Sequence, residues 1–464
     1  MIASELHDSV PPWSEISNLL QPGEIVRPKP ILAIDNLDDS MKRILFVHNN
    51  FPAQFVHIAR ALAKDPGVQV AAIGTQTARP IPGVKLLKYS IGQGDVAATH
   101  PFARRFDLEC RRAEEVLYAA SNLKASGFVP DIVLAHPGWG ETIPLRSAFP
   151  DSRLLAYCEL YYRSKGQDVG FDPEFPVAGL DGDIRIHMKN AATLLALDDC
   201  DGGISPTQWQ KSTYPAEYQS KIHVIHEGVN TNLVKPDPDA SFQLPSGRVL
   251  TAADEVVTYV TRSFEPLRGF HIIMRALPQI LKRRKDAHVV IVGGAGSPYG
   301  LEPPAGKSWK SIFLDEVARQ IDTNRVHFVG ALPHASYVKV LQISRAHLYF
   351  TYPFVLSWSF LEAMAAGCLV IASDTPPVRE VLDPSKGVLV PFLDYDKLAA
   401  ATVDALARPQ RYDKQRIQAR KFVLEHFDNA RVCMPKLREF LGFKASKRRA
   451  KDEDDTALVA SEET

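Results

Sequence analysis

Arg262 and Arg268 bracket a short stretch, "RSFEPLR", that closes an apolar run and opens onto Gly269. Further along, "VIVGGAG" carries another apolar run into Gly293, Gly294 and Gly296. Further still, "YPFVLSWSFLEAMAAG" (352–367) passes from aromatic residues into a helical pattern whose one acid is Glu362. The first turn of a helix and a tight glycine turn both leave backbone N–H groups without internal partners, and such groups bind phosphate. Guanidinium groups bind the same oxygens in pairs. Together these stretches could hold a diphosphate, with Arg262 and Arg268 supplying charge and Gly294 and the backbone N–H groups of Ser357, Trp358 and Ser359 supplying hydrogen bonds. Each signal alone has a plainer reading. The glycines could be a tight strand-to-helix connection, Arg262 a surface ion pair, and Glu362 a surface acid near a helix start.

The first half of the chain offers polar groups of another kind. "FVHNNFPAQF" (46–55) places Asn49, Asn50 and Gln54 after an apolar run. "LAHPGWGE" (134–141) brings His136, Trp139 and Glu141 to the end of another, and "LLAYCELYYRSKG" (154–166) brings Glu159 to the end of a third. An aromatic ring beside polar groups suits the face of a sugar. His136 and Glu159 are expected to point into a cleft from neighbouring strand ends. The plainer readings are a satisfied histidine at a turn and a salt bridge from Glu159 to Arg163 or Lys165.

Positioning these groups requires strand ends and helix starts, and the sequence supplies both. "RILFVHNN", "VQVAAIG", "DIVLAHP", "RLLAYCEL" and "TLLALDD" read as buried strands, separated by amphipathic stretches such as "QFVHIARALAKD" and a polar helix near 103–124. The pattern restarts with "EVVTYVTR", "HVVIVGG", "RVHFVGAL", "HLYFTYP", "CLVIASD" and "GVLVP". Strands without polar alternation, separated by helices, indicate parallel sheets covered on both faces. The expectation is therefore α/β, with two Rossmann-like halves joined near 230–254 and a ligand cleft beyond the carboxyl ends of the strands. Residues 1–40 read as an extension, and 443–464 as a charged, disordered tail.

The 464 residues include 54 basic and 54 acidic ones, so no electrostatic case exists for nucleic acid or an anionic membrane as the main partner. The five cysteines are scattered and include no CxxC pair, which fits buried reduced thiols and a cytoplasmic location. No apolar signal segment follows Glu5 and Asp8, and no run is long enough to span a membrane. Peripheral contact at the inner face of a membrane stays open. "DGD" (181–183) resembles a metal-binding motif, but it is expected in a loop of the wrong architecture, and no residue cluster has metal-ligand spacing.

Over residues 41–440 the sequence resembles the retaining glycosyltransferases of family 4 (group 1), which have the GT-B fold. The resemblance rests on Arg262 with Arg268, on "HFVGALPHASY" (327–337) and "FLEAMAAGCLVIASD" (360–374), and on "SPTQWQKSTYP" with "KIHVIHEGVNTNLVKP" between 205 and 236. Arg268–Gly269 stands where the family has Lys-Gly, and "EGVN" (227–230) stands for "NGVD". The family's motif is Glu, seven residues, Glu. Glu362 matches the second acid, whose implied role is to hold the ribose hydroxyls, while Phe354 replaces the first. Glu159 aligns with a functional histidine of many members.

The resemblance implies an N-terminal acceptor-side domain (41–235) and a C-terminal nucleotide-sugar domain (236–442) whose last helices pack back on the first. It implies transfer of a sugar from a GDP- or UDP-sugar to a glycan or lipid-linked acceptor, without metal or cofactor. Arg262, Glu159 and His136 are the expected catalytic residues. Arg262, Arg268, Gly294, Ser357, Trp358, Ser359 and Glu362 are expected to hold the nucleotide. Phe354 is expected under or beside the donor sugar. The alternatives are a sugar-nucleotide epimerase or phosphorylase of the same fold, or a scaffold of that fold that binds a nucleotide or partner without catalysis.

Overall fold

A computed structural model describes residues 41–92, 98–176, 179–294 and 298–443. The extension expected at 1–40 and the tail from 444 onward lie outside the described residues. Phe443, with which the tail was expected to begin, is buried.

The first sheet has seven strands: β1 (Lys42–Val47), β2 (Val68–Thr75), β3 (Val84–Tyr89), β4 (Ile132–Ala135), β5 (Arg153–Tyr157), β6 (Gly202–Ser205) and β7 (Ile222–Val224). They run in the order β3-β2-β1-β4-β5-β6-β7, and every pairing is parallel. A small antiparallel pair, β8 (Ser241–Gln243) and β9 (Val249–Thr251), follows. The second sheet contains β10 (Val256–Ser263), β11 (His288–Gly294), β12 (Val326–Gly330), β13 (Ala346–Tyr349), β14 (Val370–Ser373) and β15 (Val388–Val390). It is also wholly parallel, in the order β12-β11-β10-β13-β14-β15. The central strands are apolar along their length because helices cover both faces.

The helices used below are α1 (Val56–Ala63), α2 (Arg104–Ala125), α3 (Gly179–Met188), α4 (Ala191–Asp199), α5 (Gln208–Thr213), α6 (Phe270–Arg283), α7 (Trp309–Val317), α8 (His334–Gln342), α9 (Trp358–Ala365), α10 (Pro376–Val381), α11 (Asp413–His426) and α12 (Met434–Phe440). Two expectations fail here. "TLLALDD" is the helix α4, and the next strand is β6, because a short apolar segment buried between layers has no period that separates strand from helix. "DGD" lies in α3, not in a loop.

Three features tie the halves together. The segment after β5 reaches across, so that Phe171 and Phe175 pack on the core of the second sheet. There Asp172 Oδ2 accepts from Tyr352 Oη at 3.0 Å and stands 3.0 Å from His271 Nε2 of α6. Arg275 of α6 grips both oxygens of Glu174 at 2.6 and 2.7 Å. On the other flank, the Glu380 carboxylate of α10 accepts the backbone N–H groups of Gln208 and Trp209 at 2.7 Å each, capping α5. Finally, α12 returns to the first sheet, where Leu437, Leu441 and Phe443 join the core built by Ile44, Phe46 and Phe55. No helix among the described residues is long and apolar enough to cross a membrane.

Candidate functional site

A cleft of about 490 Å³ opens between the carboxyl ends of the two sheets. On the side of the second sheet, β10 delivers Arg262 and the following turn delivers Arg268. Gly269 ends that turn at φ +69°, and a Cβ there would stand 2.3 Å from Phe350 Cβ, which explains the glycine after the arginine. Arg262 is exposed and donates to Tyr299 Oη at 2.9 Å. Arg268 is buried. It donates to Thr351 Oγ1 at 3.1 Å and Val355 O at 2.8 Å, with its guanidinium 5.3 Å from the Phe354 ring and 5.9 Å from the Tyr299 ring. Tyr299 and Gly300 are anchored by their N–H groups, each 2.9 Å from Glu265 Oε2.

The glycine that β11 requires is Gly293, not Gly294. Gly293 lines the cleft at φ +134°, and a Cβ on it would collide with Thr261 O, whereas Gly294 opens on empty space. Ser357, Trp358 and Ser359 line the cleft at the start of α9. The Ser357 N–H is spent on Tyr349 Oη at 2.9 Å, and the two serine hydroxyls bond each other. The N–H groups of this turn open to a ligand are those of Trp358 and Ser359.

Glu362 stands one turn further in. Its carboxylate accepts from His334 Nε2 at 3.1 Å and Tyr337 Oη at 2.8 Å, and these two side chains, not Glu362, line the cleft. Phe354 does not itself line the cleft. It is buried in the aromatic core beneath Arg268, while Val355 and Leu356 face the cleft.

On the side of the first sheet, Glu159 lines the cleft, held at Oε1 by Gln54 Nε2 at 2.8 Å and at Oε2 by His136 Nε2 at 3.4 Å. Burial pushes this carboxyl up, but the hydrogen bonds from His136 and Gln54 and the charge of Arg268 pull it below its ordinary value. Arg163 is engaged elsewhere, donating to Thr213 O at 2.9 Å, and among the described residues Glu159 pairs with His136, so the plainer reading of a salt bridge to Arg163 or Lys165 is not what forms. His136 is set one layer back. Its Nδ1 accepts the Gly138 N–H at 3.0 Å, and Trp139 covers it at a ring distance of 4.3 Å. Because Nδ1 accepts, the neutral ring carries its hydrogen on Nε2, facing Glu159.

His48 and Glu227 are among the groups lining the cleft that escape sequence reasoning. His48 has Nδ1 bonded to the Asn50 N–H at 2.9 Å, and its Nε2 has no hydrogen-bond partner among the described residues. Glu227 comes from the segment after β7. Its Oε1 accepts from Tyr157 Oη, and burial, opposed by its own backbone N–H and by Trp358, pushes its carboxyl up to about 7. The pairing with Tyr157, seventy residues earlier, leaves no local pattern.

Asp172, Glu174 and His271 bring ligand-type atoms within 4.8 Å of one another, a cluster that spans both halves and so shows no sequence spacing. Each acid there is already paired, with His271 and Tyr352 or with Arg275, which makes it a clasp between the halves. Of the cysteines, Cys110 is exposed and the other four are buried.

A family model described as "Glycosyl transferase family 4 group" matches residues 66–234, and one described as "Glycosyl transferases group 1" matches residues 254–408. The chain is 29% identical over 259 residues to the phosphatidyl-myo-inositol mannosyltransferase of Mycolicibacterium smegmatis, covering 49% of this chain and 62% of that protein. It is 25% identical over 297 residues to the GDP-mannose-dependent alpha-(1-6)-phosphatidylinositol monomannoside mannosyltransferase of the same organism, covering 62% and 72%. The first match thus spans less than two thirds of that relative's length. Among solved structures, the sucrose-phosphate synthase of Thermosynechococcus elongatus superposes with a TM-score of 0.67 at 19% identity, covering 86% of this chain and 98% of that one. Anabaena HepE, solved with UDP and glucose, superposes at 0.60 and 18% identity, covering 87% and 99%. At these identities the structures bear on the fold alone.

Proposed function

The chain belongs to the family 4, group 1 glycosyl transferases of the GT-B fold, and on that premise we propose that it moves a sugar from a nucleotide-diphosphate donor to an acceptor hydroxyl, with retention at the anomeric carbon. One observation carries this reading: Arg262, Arg268 and the start of α9 converge on one cleft, facing the Glu159 carboxylate of the opposite sheet. A leaving nucleoside diphosphate gathers negative charge, and fixed cations and N–H groups stabilise that charge in the transition state more than in the ground state. Arg262, Arg268 and the N–H groups of Trp358 and Ser359 take this role. Glu159, ionised and fixed by Gln54 and His136, accepts from hydroxyls of the donor sugar or the acceptor. The departing phosphate oxygen takes the acceptor's proton.

In this reading 41–235 binds the acceptor and 236–442 the donor. The donor is either GDP-mannose, named for one relative, or UDP-glucose. The acceptor is a glycan or an inositol-lipid-type hydroxyl, reached from the cytoplasmic side of a membrane. Incubation with each sugar nucleotide, with and without phosphatidylinositol or oligosaccharide acceptors, tests it. The expected result is release of nucleoside diphosphate and, by NMR, a product with the donor's anomeric configuration. An inverted product removes retention, and a free epimerised sugar nucleotide replaces transfer by epimerisation. Binding without turnover leaves a nucleotide-binding scaffold.

A further inference from the structure

Glu227 has no part in the roles above, yet it lines the same cleft as Arg262 and Arg268 with 6% of its surface exposed. We propose that Glu227 carries a proton in the empty cleft and gives that hydrogen, as a hydrogen bond, to an oxygen of the donor diphosphate, so that sugar-nucleotide binding requires its protonated form. This inference rests on the donor-binding reading above and adds to it a residue and a condition.

Three observations support it. Glu227 Oε1 is occupied by the Tyr157 hydroxyl, and Oε2 has no hydrogen bond among the described residues. Oε2 stands 3.4 Å from His226 Nδ1, but that nitrogen already accepts the Gly228 N–H at 2.8 Å. The pair is therefore two facing acceptors, which repel unless a hydrogen resides on one of them. Burial, followed by the charge of His57, drops His226 to about 4, so near neutrality the hydrogen belongs on Glu227. Lastly, the carboxyl interacts with Trp358, the first residue of α9, which puts it at the phosphate-facing turn.

The groups packed around Glu227 do not supply a countercharge. Tyr157 faces it from β5, Trp358 from α9 and His226 from its own segment. Cys433, whose thiol burial pushes up to about 12, faces it from the turn before α12, and Asn429 donates to its backbone carbonyl at 2.6 Å. A charged carboxylate in this position would repel the diphosphate, whereas the neutral acid donates to it. Arg262, Arg268, Glu265, His334, His48 and Glu159 also line the cleft and are common to every arm of the test.

The test is calorimetric titration of GDP-mannose and of UDP-glucose into the full chain between pH 6 and 8.5. The phosphates of an intact sugar nucleotide keep their charge over this range. The expected result is an affinity that falls by up to about tenfold per pH unit above 7, with uptake of up to about one proton per site measured in buffers of different ionisation enthalpy. Glu227→Gln, which keeps a donor on the same atom, should hold its pH 6 affinity at pH 8.5. A flat wild-type profile without proton uptake overturns the inference, as does a Glu227→Gln profile that falls like the wild type. If neither sugar nucleotide binds at any pH, the donor reading fails and this inference fails with it. Should the variant not fold, proton uptake by the wild type decides alone.

Discussion

Glu159 and His136 form one unit: the imidazole Nε2 stands 3.4 Å from the carboxylate, and the ring's other nitrogen is fixed by the Gly138 N–H. The histidine therefore positions the acid and does not itself line the cleft. Its loss takes away a hydrogen bond that lowers the Glu159 carboxyl, so that group's titration must move to higher pH. In His136→Ala the acid limb of the kcat profile should shift upward while turnover at pH 8 is largely kept. Glu159→Gln should lower kcat at every pH. Identical acid limbs in wild type and His136→Ala would remove the coupling.

The two arginines should separate in their effects. Arg262 is exposed, so Arg262→Ala should leave thermal stability nearly unchanged and lower kcat/KM by about 10–150-fold, the worth of a hydrogen bond to a charged group at about 1.5–3 kcal/mol. Arg268 is buried and also holds Thr351 and Val355 O, so Arg268→Ala should lower both activity and melting temperature. Thermal unfolding beside steady-state kinetics checks the contrast.

Glu362 offers a direct test of the ribose contact that the family resemblance implies. A nucleoside diphosphate lacking one ribose hydroxyl should bind wild type about tenfold more weakly or worse, while Glu362→Ala should no longer discriminate the two. A discrimination that survives in the variant would show that His334 or Tyr337, which line the cleft in front of the carboxylate, make the contact instead.

Phe354→Glu, which rebuilds the family's two-acid spacing, should not raise activity. The ring lies in the core, 5.3 Å from the Arg268 guanidinium. A carboxylate there either stays unpaired in an apolar setting, which is costly, or draws Arg268 away from the diphosphate. Lower melting temperature and lower turnover are expected, and turnover above wild type would show an intact polar sugar pocket.

Glu227 also makes a prediction about stability. Its folded carboxyl titrates near 7, above the value near 4.5 of a free glutamate, so the folded state binds the proton more tightly than the unfolded state does. Stability therefore falls as pH rises from about 4.5 to 7, by about 3 kcal/mol in all at 1.36 kcal/mol per unit. Glu227→Gln removes this dependence, so denaturant unfolding should find the variant more stable than wild type at pH 8 and not at pH 4.

The layout of the fold is legible in the sequence because parallel strands buried on both faces read as bare apolar runs. β1, β4, β10, β11 and β14 stand out in this way. The same rule misleads at α4, an apolar stretch buried as a helix. In the site, Arg262, Arg268 and the start of α9 are legible because strand ends and helix starts bring phosphate ligands together by rule. Glu227, His48 and the retreat of Glu362 behind His334 are not. Each depends on which side chain from a distant strand or helix fills the space first, and that is a property of packing, not of spacing.

The return of α12 has a consequence for the order of events during synthesis. Leu437, Leu441 and Phe443 complete a core otherwise made by residues between Ile44 and Ile204, among them Phe46, Phe55, Leu134 and Tyr157. Until residue 443 has been made and has left the ribosome, the first sheet carries an open apolar groove. Nascent chains are thus exposed to aggregation from the completion of the first sheet at Val224 until residue 443 emerges, and a chain released before Leu437 would keep that groove uncovered for good.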